Sequence, residues 1–247
     1  MNETTLQKMK HLKFFGMLRA FRTTMEAGKM NQYTPDEMIG FLVESEWDDR
    51  QNRKIENGLA KAKFRYKASI ENIIYDKRSL DKNEVQRLAD CTFIEKKQNI
   101  IITGSTGVGK SYLASAFGHQ ACINGYKVAY ANTAKLIAKL KMAKADGSYV
   151  RELARIEKQD LLILDDFGIQ PFDAQGRASL MEIIEDRHGK SSFIITSQVP
   201  VKQWYDIIGE KTIADAILDR IVHDSQRIEL KGESLRKRKT TEMENIN

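Results

Sequence analysis

Gly104-Ser105-Thr106-Gly107-Val108-Gly109-Lys110-Ser111 is the stretch on which the fold turns. It satisfies the pattern G-x-x-x-x-G-K-[ST] at every position. The glycines permit backbone conformations closed to other residues, so successive N–H groups can curl around phosphate oxygens. The helix that begins at Lys110 aims the positive end of its dipole at the same anion. In this pattern the lysine reaches the β- and γ-phosphates and the following hydroxyl, here Ser111, coordinates magnesium. An apolar strand at 99–103 precedes the loop, and Leu113, Ala114 and Phe117 give the next helix a buried side. Residues Gly104, Ser105, Thr106, Gly107, Val108, Gly109, Lys110 and Ser111, with Tyr112 after them, form the expected nucleotide-binding set.

Downstream of the loop the pattern alternates. Strands are expected at 127–131, 161–164, 192–196 and 227–230, and helices at 110–124, 133–145, 148–158 and 174–188, with two short helices before the last strand. Such alternation predicts a parallel α/β sheet covered on both faces. A nucleotide site of this kind needs a second element, a carboxylate at the end of a buried strand. Leu161-Leu162-Ile163-Leu164-Asp165-Asp166 supplies it: Asp165 is expected to hold the metal, and Asp166 to polarise the attacking water. The strand at 192–196 runs into Ser197 and Gln198, which the sheet would bring near the γ-phosphate.

Upstream, the chain reads as helix to about residue 70. Leu6, Phe14, Met17, Leu18, Phe21 and Met25 fall at helical spacing, and Gly28 stops that run. Thr34-Pro35-Asp36-Glu37 announces a second helix through a capping box with proline at the first helical position. Its apolar face continues through Ile55, Leu59, Ala62 and Tyr66. Residues 36–49 carry six acids and no base, whereas 53–67 carry six bases and one acid. On a helical wheel Lys54, Lys61 and Arg65 make one column, which could hold a nucleic-acid backbone or simply be solvated. The expected division is therefore a helical region, 1–70, and an α/β region, 71–247.

The 247 residues are 41% hydrophobic, enough for a sizeable core, and Lys plus Arg exceed Asp plus Glu by 40 to 34. A surplus of this size only hints at an anionic partner. Cys91 and Cys122 have neither metal-ligand spacing nor the density of a disulfide scaffold. With no signal-peptide pattern and no apolar run approaching a membrane span, the sequence predicts a cytoplasmic protein without a membrane partner.

With these motifs in hand, the chain resembles the IstB-like transposition helper ATPases, in the DnaC and DnaA branch of the AAA+ superfamily. The resemblance is carried, in order, by the phosphate loop and residues 161–168 (LLILDDFG), 194–200 (IITSQVP), 213–222 (IADAILDRIV) and 227–236 (RIELKGESLR). It implies a P-loop AAA+ fold of the ASCE type, with Gly104 to Ser111 as Walker A and Asp165 with Asp166 as Walker B. Gln198 takes the sensor-1 position, where asparagine is common. Arg220 falls in the block that supplies an arginine finger to a neighbour's ATP; a salt bridge to Asp215 or Asp219 is its plainer reading. A finger acting in trans makes the competent enzyme an oligomer. Two departures bear on rate: Asp166 stands where many relatives have Glu, and the 17 residues after Leu230 are too few for a large C-terminal lid. Arg236 is the nearest residue for a nucleotide-sensing role in such a lid.

The implied function is a slow, switch-like ATPase that uses ATP and Mg2+, assembles as a homo-oligomer along duplex DNA and assists a transposase. The DNA-contact candidates are Lys54, Lys61 and Arg65, with Lys135, Lys139, Lys141 and Lys144 on the helix after the second strand. A DnaC-like loader of a replicative helicase shares the ATPase core and is the main alternative. A P-loop small-molecule kinase lacks an Arg-rich phosphate-clamping lid here, and the intact loop and Asp165 speak against a scaffold with a decayed ATPase. The run Arg236-Lys237-Arg238-Lys239 could touch DNA or be a frayed tail.

Overall fold

A computed structural model of the chain describes residues 2–75 and 79–235. These form two compact units, Met1–Asn57 and Gly58–Asn247. Residues 58–70, expected with the helical region, thus belong to the second unit.

The first unit holds α1 (Asn2–His11), α2 (Phe15–Glu26) and most of α3 (Pro35–Ala62). The single helix expected over residues 6–25 is in fact two. Lys13 adopts the left-handed conformation, φ 60°, while its N–H bonds the Lys10 carbonyl and the Phe14 N–H bonds that of Met9. This is the double bond of a helix C-terminus, closed on a lysine where glycine is usual. Gly28 closes α2 in the same way, as the sequence predicts. The capping box is present: the Thr34 N–H donates to Glu37 Oε2 at 2.7 Å, and the Glu37 N–H to Thr34 Oγ1 at 3.3 Å. Glu46 closes the other helix start, accepting from the N–H groups of Gly16 and Met17.

The second unit begins with the last residues of α3, which stops at Ala62 because Lys63 turns left-handed, φ 57°. The helix was expected to run on to Tyr66. Then follow α4 (Lys82–Ala89) and α5 (Thr92–Glu95), which the sequence reading did not identify; Asp81 caps α4 by accepting from Asn83 N–H. From there the order is β1 (Asn99–Gly104), α6 (Lys110–Ile123), β2 (Val128–Asn132), α7 (Thr133–Ala145), α8 (Tyr149–Glu157), β3 (Leu161–Asp165), α9 (Ala174–Arg187), β4 (Ser192–Ser197), α10 (Trp204–Ile208), α11 (Lys211–Val222) and β5 (Ser225–Leu230). Among the described residues five strands pair, all parallel, in the order β2-β3-β4-β1-β5.

Alternation along the strands divides the core in two. Ile100, Ile102, Ile163 and Ile194 join α4, α5 and α6 on one face; Ile101, Leu162, Leu164 and Ile195 join α7, α9, α10 and α11 on the other. All four apolar residues of β3 are buried, each contributing about 1.5–3 kcal/mol, so the strand that ends in Asp165 is rigidly seated. Among the described residues no helix is long and apolar enough to cross a membrane.

Candidate nucleotide site

The loop lies between β1 and α6, and its chain path depends on glycine. Gly104, Gly107 and Gly109 have φ of 147°, 83° and 100°. A side chain at Gly104 would also strike the Leu230 carbonyl, and one at Gly107 the side chain of Ser234. Residues 231–235 pass over the loop, where the Leu235 N–H donates to the Gly107 carbonyl at 3.0 Å. Lys110 is 5% exposed and its Nζ donates to the Ser105 carbonyl at 2.8 Å, which holds the ammonium inside the curl of the loop. Val108 is buried in the core, so it offers a nucleotide only its backbone. Tyr112 stands on the first turn of α6, its ring centroid 6.2 Å from that of Tyr66.

Sheet order brings Asp165 to this loop with one strand, β4, between them. Its carboxylate is fully buried and takes donors on both oxygens. Ser111 Oγ donates to Oδ1 at 2.7 Å, and Thr196 Oγ1 from the neighbouring strand donates to the same oxygen at 2.5 Å. On Oδ2 the donors are the Tyr130 hydroxyl and Arg65 Nη1. Burial, and then donation to Asp165, push the Tyr130 phenol far above its ordinary value, so it stays protonated and a donor. Ser111 and Asp165 thus present adjacent hard oxygens, the donor type that magnesium takes together with phosphate oxygens.

Asp166 turns out of the strand at φ 59°, its N–H on Thr196 Oγ1 and its Oδ2 3.2 Å from both Asn132 Nδ2 and Arg65 Nη1. Gln198 Oε1 accepts from Thr106 Oγ1 at 2.9 Å, which places Gln198 against the phosphate loop. Ser197, expected beside it, points elsewhere: its hydroxyl is buried on the Phe167 carbonyl at 2.7 Å. The strand alternation that turns Ser197 inward turns Thr196 towards Asp165, and that alternation was readable in the sequence.

Arg220 sits far from this cluster. It lies near the C-terminus of α11, where its carbonyl accepts from the Asn99 side chain at the start of β1; the phosphate loop follows the other end of that strand. Its guanidinium meets the Ala216 carbonyl at 2.9 Å and Glu185 at 3.4 Å, rather than Asp215 or Asp219. Arg236 and the run to Lys239 lie outside the described residues.

The basic candidates separate. Lys54 is exposed on α3 in the first unit. The column with Lys61 and Arg65 does not form, because α3 ends at Ala62 and Arg65 bends back onto the aspartates. On α7, Lys135 and Lys139 line a cleft of about 1060 Å³ beside β2, the edge strand, together with Lys61, Lys63 and Arg65. Lys139 pairs with Glu152 there. Lys141 pairs with Asp173, and Lys144 lies over the Tyr149 ring, so the four lysines do not share one face.

Comparison with known proteins bears on the same residues. A family model described as IstB-like ATP binding protein matches residues 7–243. A putative insertion sequence ATP-binding protein of Sinorhizobium fredii is 44% identical over 234 residues, spanning 94% of this chain and 96% of that one. The putative ATP-binding protein of insertion sequence IS21 from Pseudomonas aeruginosa is 30% identical over 230 residues, 93% of this chain and 85% of that one. Among solved structures, DnaI aligns with a TM-score of 0.57 at 22% identity, over 68% of this chain and 90% of that one, a likeness of fold.

Proposed function

This chain belongs to the IstB-like ATP-binding family, and from that premise we propose that it is a slow, switch-like ATPase which assembles along duplex DNA to assist a transposase. The insertion-sequence names of its relatives support the transposition setting. ATP is the nucleotide of the family, and the phosphate loop is intact.

In this reading the loop amides and Lys110 bind the phosphates. Ser111 and Asp165 would hold magnesium, which when bound would supply charge neutralisation for the phosphates. Tyr130 and Thr196 keep the Asp165 carboxylate turned towards Ser111. Asp166 accepts a hydrogen bond from the attacking water, and Gln198 orients water or phosphate from the far side of the loop. Lys54, Lys61, Lys135 and Lys139 meet the DNA backbone, which gives affinity by charge without reading bases. Lys141 and Lys144, which do not line the cleft, are weaker candidates for the same role.

One observation carries the proposal that copies act together: Arg220 is at the opposite edge of the sheet from its own phosphate loop. A finger there serves a neighbour's nucleotide, and such a finger is worth about 10³–10⁵ in rate. Mixing two inactive variants tests it. Arg220→Ala keeps a sound loop and Lys110→Ala keeps a sound finger, so each alone should be nearly inactive and the mixture should regain hydrolysis. A mixture as inactive as its components would remove the finger in trans.

A further inference from the structure

Arg65 lies outside every motif that identifies the chain, yet its Nη1 is 3.3 Å from Asp165 Oδ2 and 3.2 Å from Asp166 Oδ2. The positive charge there opposes the entry of a divalent cation at Asp165. It also occupies Oδ2, one of the two Asp166 oxygens open to a water molecule. Behind it, the Phe64 ring packs edge-on to Tyr130 at 6.3 Å and against Gly118, where a side chain would collide with it. The backbone is therefore anchored, while the guanidinium, on a side chain 42% exposed, borders the cleft beside β2. Lys61, Lys63, Lys135 and Lys139 line the same cleft. The bond to Asp166 is partly exposed, and Asp165, although buried, keeps Ser111, Thr196 and Tyr130 as donors when Arg65 leaves, while phosphate offers the guanidinium a better-matched, bidentate partner.

The geometry points to Arg65 as a displaceable counter-ion. It holds Asp165 and Asp166 until a nucleic-acid phosphate in the cleft draws it away, and metal-bound nucleotide then binds tightly. The inference rests on the DNA reading of the cleft given above and adds to it the regulation of the nucleotide site.

The test is the affinity of a fluorescent, non-hydrolysable ATP analogue, measured in Mg2+ and in EDTA, with and without duplex DNA. Duplex binding is followed separately by anisotropy. Without DNA, Arg65→Gln in Mg2+ should bind the analogue about tenfold tighter than wild type, within the ~5–150-fold usual for coupled sites. Wild type should reach that affinity only with duplex present, and duplex should add nothing to the variant. Retained binding in EDTA shows that the variant's phosphate loop is folded. Arg65→Gln binding the Mg2+ analogue no tighter than wild type overturns the inference, as does a wild-type affinity unmoved by duplex that anisotropy shows to be bound. If duplex does not bind at all, or binds equally well after Lys61→Glu and Lys135→Glu together, the DNA reading of the cleft fails instead, and the inference falls with it.

Discussion

Around Asp165 a buried carboxylate has more donors than a lone charge needs, and each fixes a direction. Ser111 and Thr196 claim one oxygen, Tyr130 and Arg65 the other. Asp166, one residue on, is partly exposed and held by longer bonds. That contrast separates their expected phenotypes. Asp166→Asn replaces the carboxylate proposed to polarise the attacking water with a neutral amide while leaving the phosphate loop intact. It should lower kcat by about 10²–10⁴, the usual worth of a positioned base, with ATP affinity within a few-fold of wild type in a binding titration. The residue-scale reading also covers the cysteines. Burial pushes the thiols of both Cys91 and Cys122 up to about 11. The folded protein at pH 8 should therefore consume little thiol reagent, and two equivalents once denatured; prompt labelling of the native protein would contradict the packing around α6. The sequence displayed Lys110, Ser111, Asp165 and Asp166 because their motifs are local. Tyr130, Thr196 and Arg65 were hidden because they reach Asp165 from other elements, and Arg65 from 100 residues away.

At the scale of elements, helix ends account for what the sequence concealed. Where glycine or a capping box marks a boundary, as at Gly28 and Thr34, the boundary was legible. At Lys13, Lys63 and Lys97 the chain turns left-handed on lysine, a residue with no such signature. Those unmarked stops split the first helix and shorten α3, and the second moves Arg65 from a helical face to the aspartates. Among the described residues, β1 to β4 were legible because their apolar residues alternate between two helical layers, and β5 because Ile228 and Leu230 alternate with polar residues towards one of them. Within the first unit, Glu46 bonds the N–H groups of Gly16 and Met17 at the start of α2 and also accepts from Arg50. Its burial works against ionisation, but Arg50 and the two amides outweigh it and hold the carboxyl below its ordinary 4.5. A lowered value means that this stabilisation is complete above about pH 4.5 and is lost as pH falls through the folded-state value. Glu46→Gln should cost about 1.5–3 kcal/mol, the worth of hydrogen bonds to a charged group. Urea unfolding at pH 7 checks the size. The gap between variant and wild type should narrow steadily as pH falls below 4.5; a gap that does not narrow would point to packing instead.

For the whole molecule, the decisive relation is between the two edges of one sheet. The phosphate loop, Asp165, Asp166 and Gln198 gather at the C-terminal edge, while Arg220 is carried by α11 to the opposite edge. One copy holds the two at opposite ends of its strands, so the finger proposed for Arg220 has to act on another copy's nucleotide. The basic cleft beside β2 adds a surface suited to a phosphate backbone, and its contribution should weaken steeply with salt. The most direct measurement is the mass of the wild-type protein by analytical ultracentrifugation, with duplex DNA and either ATP or ADP. Several copies per duplex with ATP, reduced by ADP and by Arg220→Ala, is the expected result. A single copy per duplex under every condition would contradict the account.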